Sequence, residues 1–198
     1  MSTHRHGSDF RSAAAPHPRR LLAIYLNDHL AGASSGVALI RRMARTHRGR
    51  AAGPALAELA GQIAADRESL REFMTALDVP AQWPRVVVGR LAEKTGRIKL
   101  NGRLVRRSPL SDVLELEVMR LGVEGKASLW RSLRTVADTD PRLDGAAVDR
   151  LLARARRQAD VLEELRVRAA RQTFAPDAAP GAGTGTGTAG AGTAVAHG

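Results

Sequence analysis

One histidine and a few carboxylates stand on the apolar stripes of this chain, and they are the residues best placed to do chemistry. They are His29, Asp66, Glu117 and Glu124, accompanied by Gln158 and Arg166. Read at helical spacing, each lies on or at the edge of a stripe that recurs every three to four residues. One imidazole and two or three carboxylates make a reduced ligand set for a single Fe, Mn or Zn ion, with His29, Asp66 and Glu117 or Glu124 as ligands. The same residues also make a satisfied internal network. A lone buried carboxylate costs several kcal/mol, so some cation must answer it. Arg166 on the core face, or Arg67 beside Asp66, does so without a metal. The network is the preferred reading, and in it His29 is a bystander.

Four helical stretches must position these residues, at roughly 20–46, 53–78, 110–137 and 144–173. The first carries Leu22, Leu26, His29, Ala33, Val37 and Ile40 on one face. The second opens on Gly53-Pro54 and carries Leu56, Leu59, Ile63, Asp66, Leu70, Phe73 and Leu77. The third follows Ser108-Pro109, with Leu110, Leu114, Leu121, Gly125, Leu129 and Leu133 as its expected inner face and Glu117 and Glu124 on one edge. The fourth follows Asp144-Gly145 and carries Val148, Leu151, Ala155, Gln158, Leu162, Arg166 and Ala169. Proline near the first helical position and Asp or Ser before it are the expected start signals.

Connector lengths set the expected topology. A helix of about 25 residues is roughly 37 Å long, and six or seven extended residues reach only about 23 Å. The two outer connectors therefore force antiparallel hairpins. The middle one, residues 79–109, is long enough to cross the bundle and to hold a short helix over about 84–95.

Short, long and short connectors around four inward faces resemble the ferritin-like fold, which has one long crossover. The segments YLNDHLAGASSG and LAEKTGRIKLNGRLVRRSPLSDVLELEVMRLGVEGK look like those of a group of uncharacterised ferritin-like proteins from high-GC bacteria. The resemblance covers about 20–173 and implies a fold, not an activity. Active di-metal members of that fold place Glu on two helices and Glu-x-x-His on the other two. This chain departs from the pattern. It has no Glu-x-x-His; Ser69 follows Asp66 by three, Val161 follows Gln158 by three, and His29 stands where the first helix would offer Glu.

Charge points elsewhere. The chain has a formal net charge of +11, and much of the excess is local. Arg85, Arg90, Lys94, Arg97, Lys99, Arg103, Arg106 and Arg107 crowd the middle connector against one acid, Glu93. Arg41, Arg42, Arg45, Arg48 and Arg50 form a second cluster. A basic amphipathic connector can rest on a nucleic-acid backbone or an anionic membrane surface. Alternatively, Val86, Val87, Leu91, Ile98 and Leu100 cap the bundle while the charges are solvated. With only Trp83 nearby, no base-stacking platform is expected.

Several classes fall away. There is no cysteine, so thiolate and disulfide chemistry are absent. The glycine-rich tail lacks the Gly-Lys-Ser/Thr ending of a phosphate loop, and no Gly-x-Ser-x-Gly turn is present. No stretch is apolar enough to be a transmembrane helix, no signal-peptide pattern opens the chain, and a cytoplasmic location is the default expectation. Residues 1–19 and 174–198 are expected to be disordered, the latter Ala/Gly/Thr-rich. The expectation is an all-α, ferritin-like four-helix bundle over 20–173. It would act without catalysis as a binding or structural module, its basic crossover facing an anionic partner. The alternative is a metal-binding oxidoreductase with the reduced ligand set. Pairing into a homo-oligomer fits the fold, though no residue specifies it.

Overall fold

The computed structural model describes residues 17–82 and 108–175. Four helices fill them: α1, Pro18–Thr46; α2, Gly53–Ala76; α3, Pro109–Ala137; and α4, Gly145–Phe174. No strand occurs among the described residues. Residues 1–16, 83–107 and 176–198 lie outside them, and with these go the expected short helix at 84–95 and most of both expected disordered ends.

Local chemistry explains the helix limits. Pro18, Pro54 and Pro109 each stand in a first turn, where a missing N–H costs nothing. At α4, the Asp144 carboxylate accepts the Ala146 N–H at 2.9 Å, a side-chain cap. At the end of α2, Asp78 turns left-handed with φ 56°. Its N–H donates to Thr75 O (3.1 Å) and that of Val79 to Met74 O (2.8 Å), which satisfies two carbonyls the helix would leave open. The α1–α2 turn needs two glycines. Gly49 sits at φ 77°, and a Cβ on Gly53 would lie 2.5 Å from the His47 carbonyl oxygen.

α1 packs on α2 and α3 on α4, while α1 also adjoins α3 and α2 adjoins α4. Contacts along the helices give their directions. Tyr25 near the start of α1 shares a hydrogen bond of 3.2 Å with Ser132 near the end of α3. Arg42 meets Glu115 at 3.1 Å, and His47 meets Asp112 at 3.3 Å. The two helices are therefore antiparallel. So are α2 and α4, through Gln62 with Gln158 (3.1 Å) and Asp66 with Arg154 (2.7 Å). The chain leaves α2 beside the start of α1, where Asn27 donates to Pro80 O (3.2 Å) and accepts from Gln82 N–H (2.6 Å). It enters α3 beside the opposite end of α1, at Asp112.

The core runs the length of this arrangement. Leu26, Ile40, Leu56, Leu70, Trp130, Leu133 and Leu162 are almost wholly buried, each large aliphatic contributing about 1.5–3 kcal/mol relative to exposure. The expected inner face of α3 is corrected in part. Leu110, Leu114 and Leu121 are 45%, 37% and 69% exposed, while Val113, Leu116, Met119, Val123, Ala127 and Trp130 are buried beside Leu129 and Leu133. α3 carries two apolar stripes. The one that carries Trp130 faces its neighbours along the helix, while the leucine-rich one is exposed at Leu110, Leu114 and Leu121 and turns inward only at Leu129 and Leu133.

Candidate functional site

Asp66 and Gln158 are the most deeply buried polar side chains among the described residues, each 1% exposed. Asp66 lies on the inner face of α2, one turn from Ile63 and Leu70. Gln158 lies on α4 between Ala155 and Leu162. Their contact follows from the antiparallel pairing of these helices. The Gln158 amide N–H donates to Asp66 Oδ2 at 3.1 Å and to Gln62 Oε1 at 3.1 Å.

Two cations complete the cluster. Arg154 Nε donates to Asp66 Oδ1 at 2.7 Å, and its Nη2 reaches the same oxygen. Lys126 on α3 donates from Nζ to Asp66 Oδ2 and to Gln158 Oε1. Each carboxylate oxygen thus faces two N–H donors, which occupies the roughly four acceptor positions of a carboxylate. The Lys126 side chain is 12% exposed and that of Arg154 is 32% exposed. Burial pushes the Lys126 ammonium below its usual range; the Asp66 charge and hydrogen bond oppose that shift, and the Arg154 charge adds to it. One anion against two cations leaves the cluster a net positive charge, with Arg154 as the member best able to share it with water. Chemically, the arrangement is a clamp that ties α2 to α3 and α4.

The other expected site residues lie apart from this clamp. His29 is half-buried on α1, its ring edge-on to Tyr25 at 4.5 Å between centroids. Burial pushes its imidazole below the ordinary value of 6.5, with Asp28 opposing. Glu117 faces Arg166 at 3.8 Å, and Arg166 is held by Glu163 through bonds of 2.8 and 2.6 Å. Glu163 in turn meets Arg120 at 3.4 Å. This is a separate, partly exposed seam between α3 and α4. Glu124 is exposed. Among the described residues, no group of three or more His, Asp or Glu side chains gathers where it could hold a metal ion.

Of the expected polar set, then, Asp66 and Gln158 come together, and His29, Glu117, Glu124 and Arg166 do not join them. The cations that answer Asp66 are Lys126 and Arg154, not Arg166 or Arg67; Arg67 bonds to Glu68 at 3.0 Å. Sequence reasoning missed Lys126, Arg154 and Gln62. Signals for two of them exist. Lys126 is the one lysine within the four helices of a chain that otherwise uses arginine there. Arg154 precedes Gln158 by four residues and so shares its face. The eight basic connector residues, Arg85 to Arg107, lie outside the described residues.

No helix among the described residues is long and apolar enough to cross a membrane. Compared with protein-family models, curated proteins and solved structures, the chain matches none, so its functional reading rests on its own residues.

Proposed function

We propose that this chain is a ferritin-like helical bundle without catalytic activity, acting as a binding or structural module. Its recognition surface is the basic connector, Arg85, Arg90, Lys94, Arg97, Lys99, Arg103, Arg106 and Arg107, and its partner is anionic, a nucleic acid or a membrane surface. The observation that carries the non-catalytic part is the saturation of Asp66. A metal-binding bundle turns carboxylate lone pairs toward a shared ion. Here both oxygens of the buried carboxylate are taken by Lys126, Arg154 and Gln158, so the polar core holds helices together. The helix directions support the ferritin-like reading. The chain leaves α2 and enters α3 at opposite ends of α1, as one long crossover between two hairpins would have it. The connector that spans this distance holds the densest positive charge in the sequence.

Two measurements test the proposal. Protein grown with iron and manganese and purified without chelator is expected to carry metal far below one equivalent by elemental analysis. A stoichiometric ion would instead favour the oxidoreductase reading. Binding to labelled DNA and to anionic vesicles, titrated with salt, is expected to weaken steeply as phosphates are released, and to fall in a variant with Arg103, Arg106 and Arg107 changed to Gln. Absence of binding to both at low salt overturns the partner.

A further inference from the structure

A second cationic surface lies on the described residues themselves, where α1 turns into α2. The end of α1, the turn and the first turns of α2 enclose a groove lined by Arg45, Arg48 and Arg50 and otherwise by small residues, among them Gly49, Ala51 and Pro54. All three arginines are exposed. Their neighbour Arg42 is held by Glu115, but these three enter no ion pair among the described residues. No acid stands in the first turn of α2 to offset them. Some helix arginines elsewhere have acid partners, as Arg67, Arg120, Arg134 and Arg166 do; what sets these three apart is that they share one concavity.

The groove is also preset. Arg50 N–H donates to His47 O and Gly53 N–H to Arg50 O, both at 2.9 Å, and Gly49 holds the left-handed turn between Arg48 and Arg50. The turn therefore presents its arginines from a fixed backbone. Three uncompensated guanidinium groups around one concavity focus a positive potential. Their planar forks match phosphate oxygens in pairs. Small lining residues let a bulky tetrahedral group approach, and no aromatic side chain lines the groove to stack a base.

We infer that the Arg45–Arg48–Arg50 groove at the α1–α2 turn is a binding site for the phosphate groups of a linear polyanion. The site is built from other residues than the connector surface proposed above, and it engages phosphates rather than bases. The probes are a labelled single-stranded oligonucleotide of about 15 nucleotides and free tripolyphosphate as competitor, at low salt. The triple variant R45Q/R48Q/R50Q is compared with R156Q/R157Q/R171Q, which removes the same charge from exposed α4 positions that form no ion pair among the described residues. Circular dichroism checks that both keep their helices. The groove variant is expected to bind the oligonucleotide roughly 10-fold more weakly and to lose about two from the salt slope, at about 0.7 per phosphate contact on a single strand. The α4 variant is expected to change much less. Displacement by tripolyphosphate at comparable concentration identifies a free oligophosphate as sufficient ligand; displacement only by the oligonucleotide identifies an extended backbone. Either supports the site. Equal losses in the two triple variants overturn it, as does binding to anionic vesicles alone. A connector variant (R103Q/R106Q/R107Q) that abolishes binding while the groove variant is unchanged also overturns this inference, and leaves the connector reading standing.

Discussion

Replacing Asp66 by asparagine probes the clamp with almost no change in volume. The substitution removes the one anion facing Lys126 and Arg154 and exchanges an acceptor oxygen for an NH2 group that points at N–H donors. Removing one partner of a buried pair costs about 3–5 kcal/mol. Part of that must be discounted. The Arg154 side chain is 32% exposed and can turn toward water. Lys126 has less freedom, at 12% exposure. It can shed its proton, which burial already favours; that escape costs about 1.4 kcal/mol for each unit by which its pKa exceeds the working pH. A loss of roughly 2–4 kcal/mol follows, which at about 2–4 °C per kcal/mol lowers Tm by roughly 4–16 °C. Thermal and urea unfolding followed by far-UV circular dichroism measure it. The sign of the pH dependence is set as well. Lys126 has a folded pKa below its unfolded value of 10.5, so between the two the unfolded chain binds more protons and stability rises with pH. The variant, having lost the opposing charge, is expected to recover stability more steeply than the parent as pH rises toward that value. Adding Lys126→Met to Asp66→Asn removes the stranded cation and is expected to cost clearly less than the two single changes together, with a coupling of about 1–3 kcal/mol. A drop no larger than that of Asp149→Asn, an exposed control paired with Arg134, refutes the clamp.

Three further outcomes follow from the packing and the surface charges. Met119→Ala is expected to destabilise by about 2–5 kcal/mol and Leu121→Ala by less than about 0.5 kcal/mol in urea unfolding, because Met119 is buried and Leu121 is not; the reverse order would restore the leucine-rich stripe as the inner face. Gly125→Ala, with open space around its Cβ position, is expected to stabilise by about 0.5–1 kcal/mol. Gly53→Ala, by contrast, is expected to destabilise by about 1–3 kcal/mol against the His47 carbonyl, and opposite shifts in Tm check the pair. Asp140 is expected to titrate at about 2 by NMR, because hydrogen bonds from the Arg142 side chain and backbone hold its carboxyl down from 3.8. Its contribution to stability is present above 3.8 and fades as pH falls toward about 2; Arg142→Gln is expected to return the titration toward 3.8.

The seam between α3 and α4 shows how far a core polar set can be divided by small rotations. Glu117 and Glu124 stand seven residues apart, on one edge in projection. Yet Glu117 meets Arg166 across the α3–α4 contact while Glu124 is exposed. His29 shares the inward-leaning face of α1, but its ring meets Tyr25 and not a carboxylate of the core. None of these distinctions is carried by spacing along one helix.

What the sequence by itself determined about this protein is the set of helices, where they begin and end, and the antiparallel hairpins. Those follow from local rules: periodic apolar residues, prolines in first turns, an Asp cap, and connectors too short to return along a helix. It also placed Asp66 and Gln158 on apolar stripes, as it did His29 and Arg166, but only the structure separates the first two, which are buried, from the last two, which are partly exposed. The tertiary structure alone decided which of two apolar stripes on α3 turns inward, and which cations answer Asp66. Lys126 reaches it from 60 residues away and Arg154 from 88. Periodicity describes one helix about its own axis; the rotation of that helix against its neighbours depends on every side chain at the interface, and that is where the partners of Asp66 are chosen.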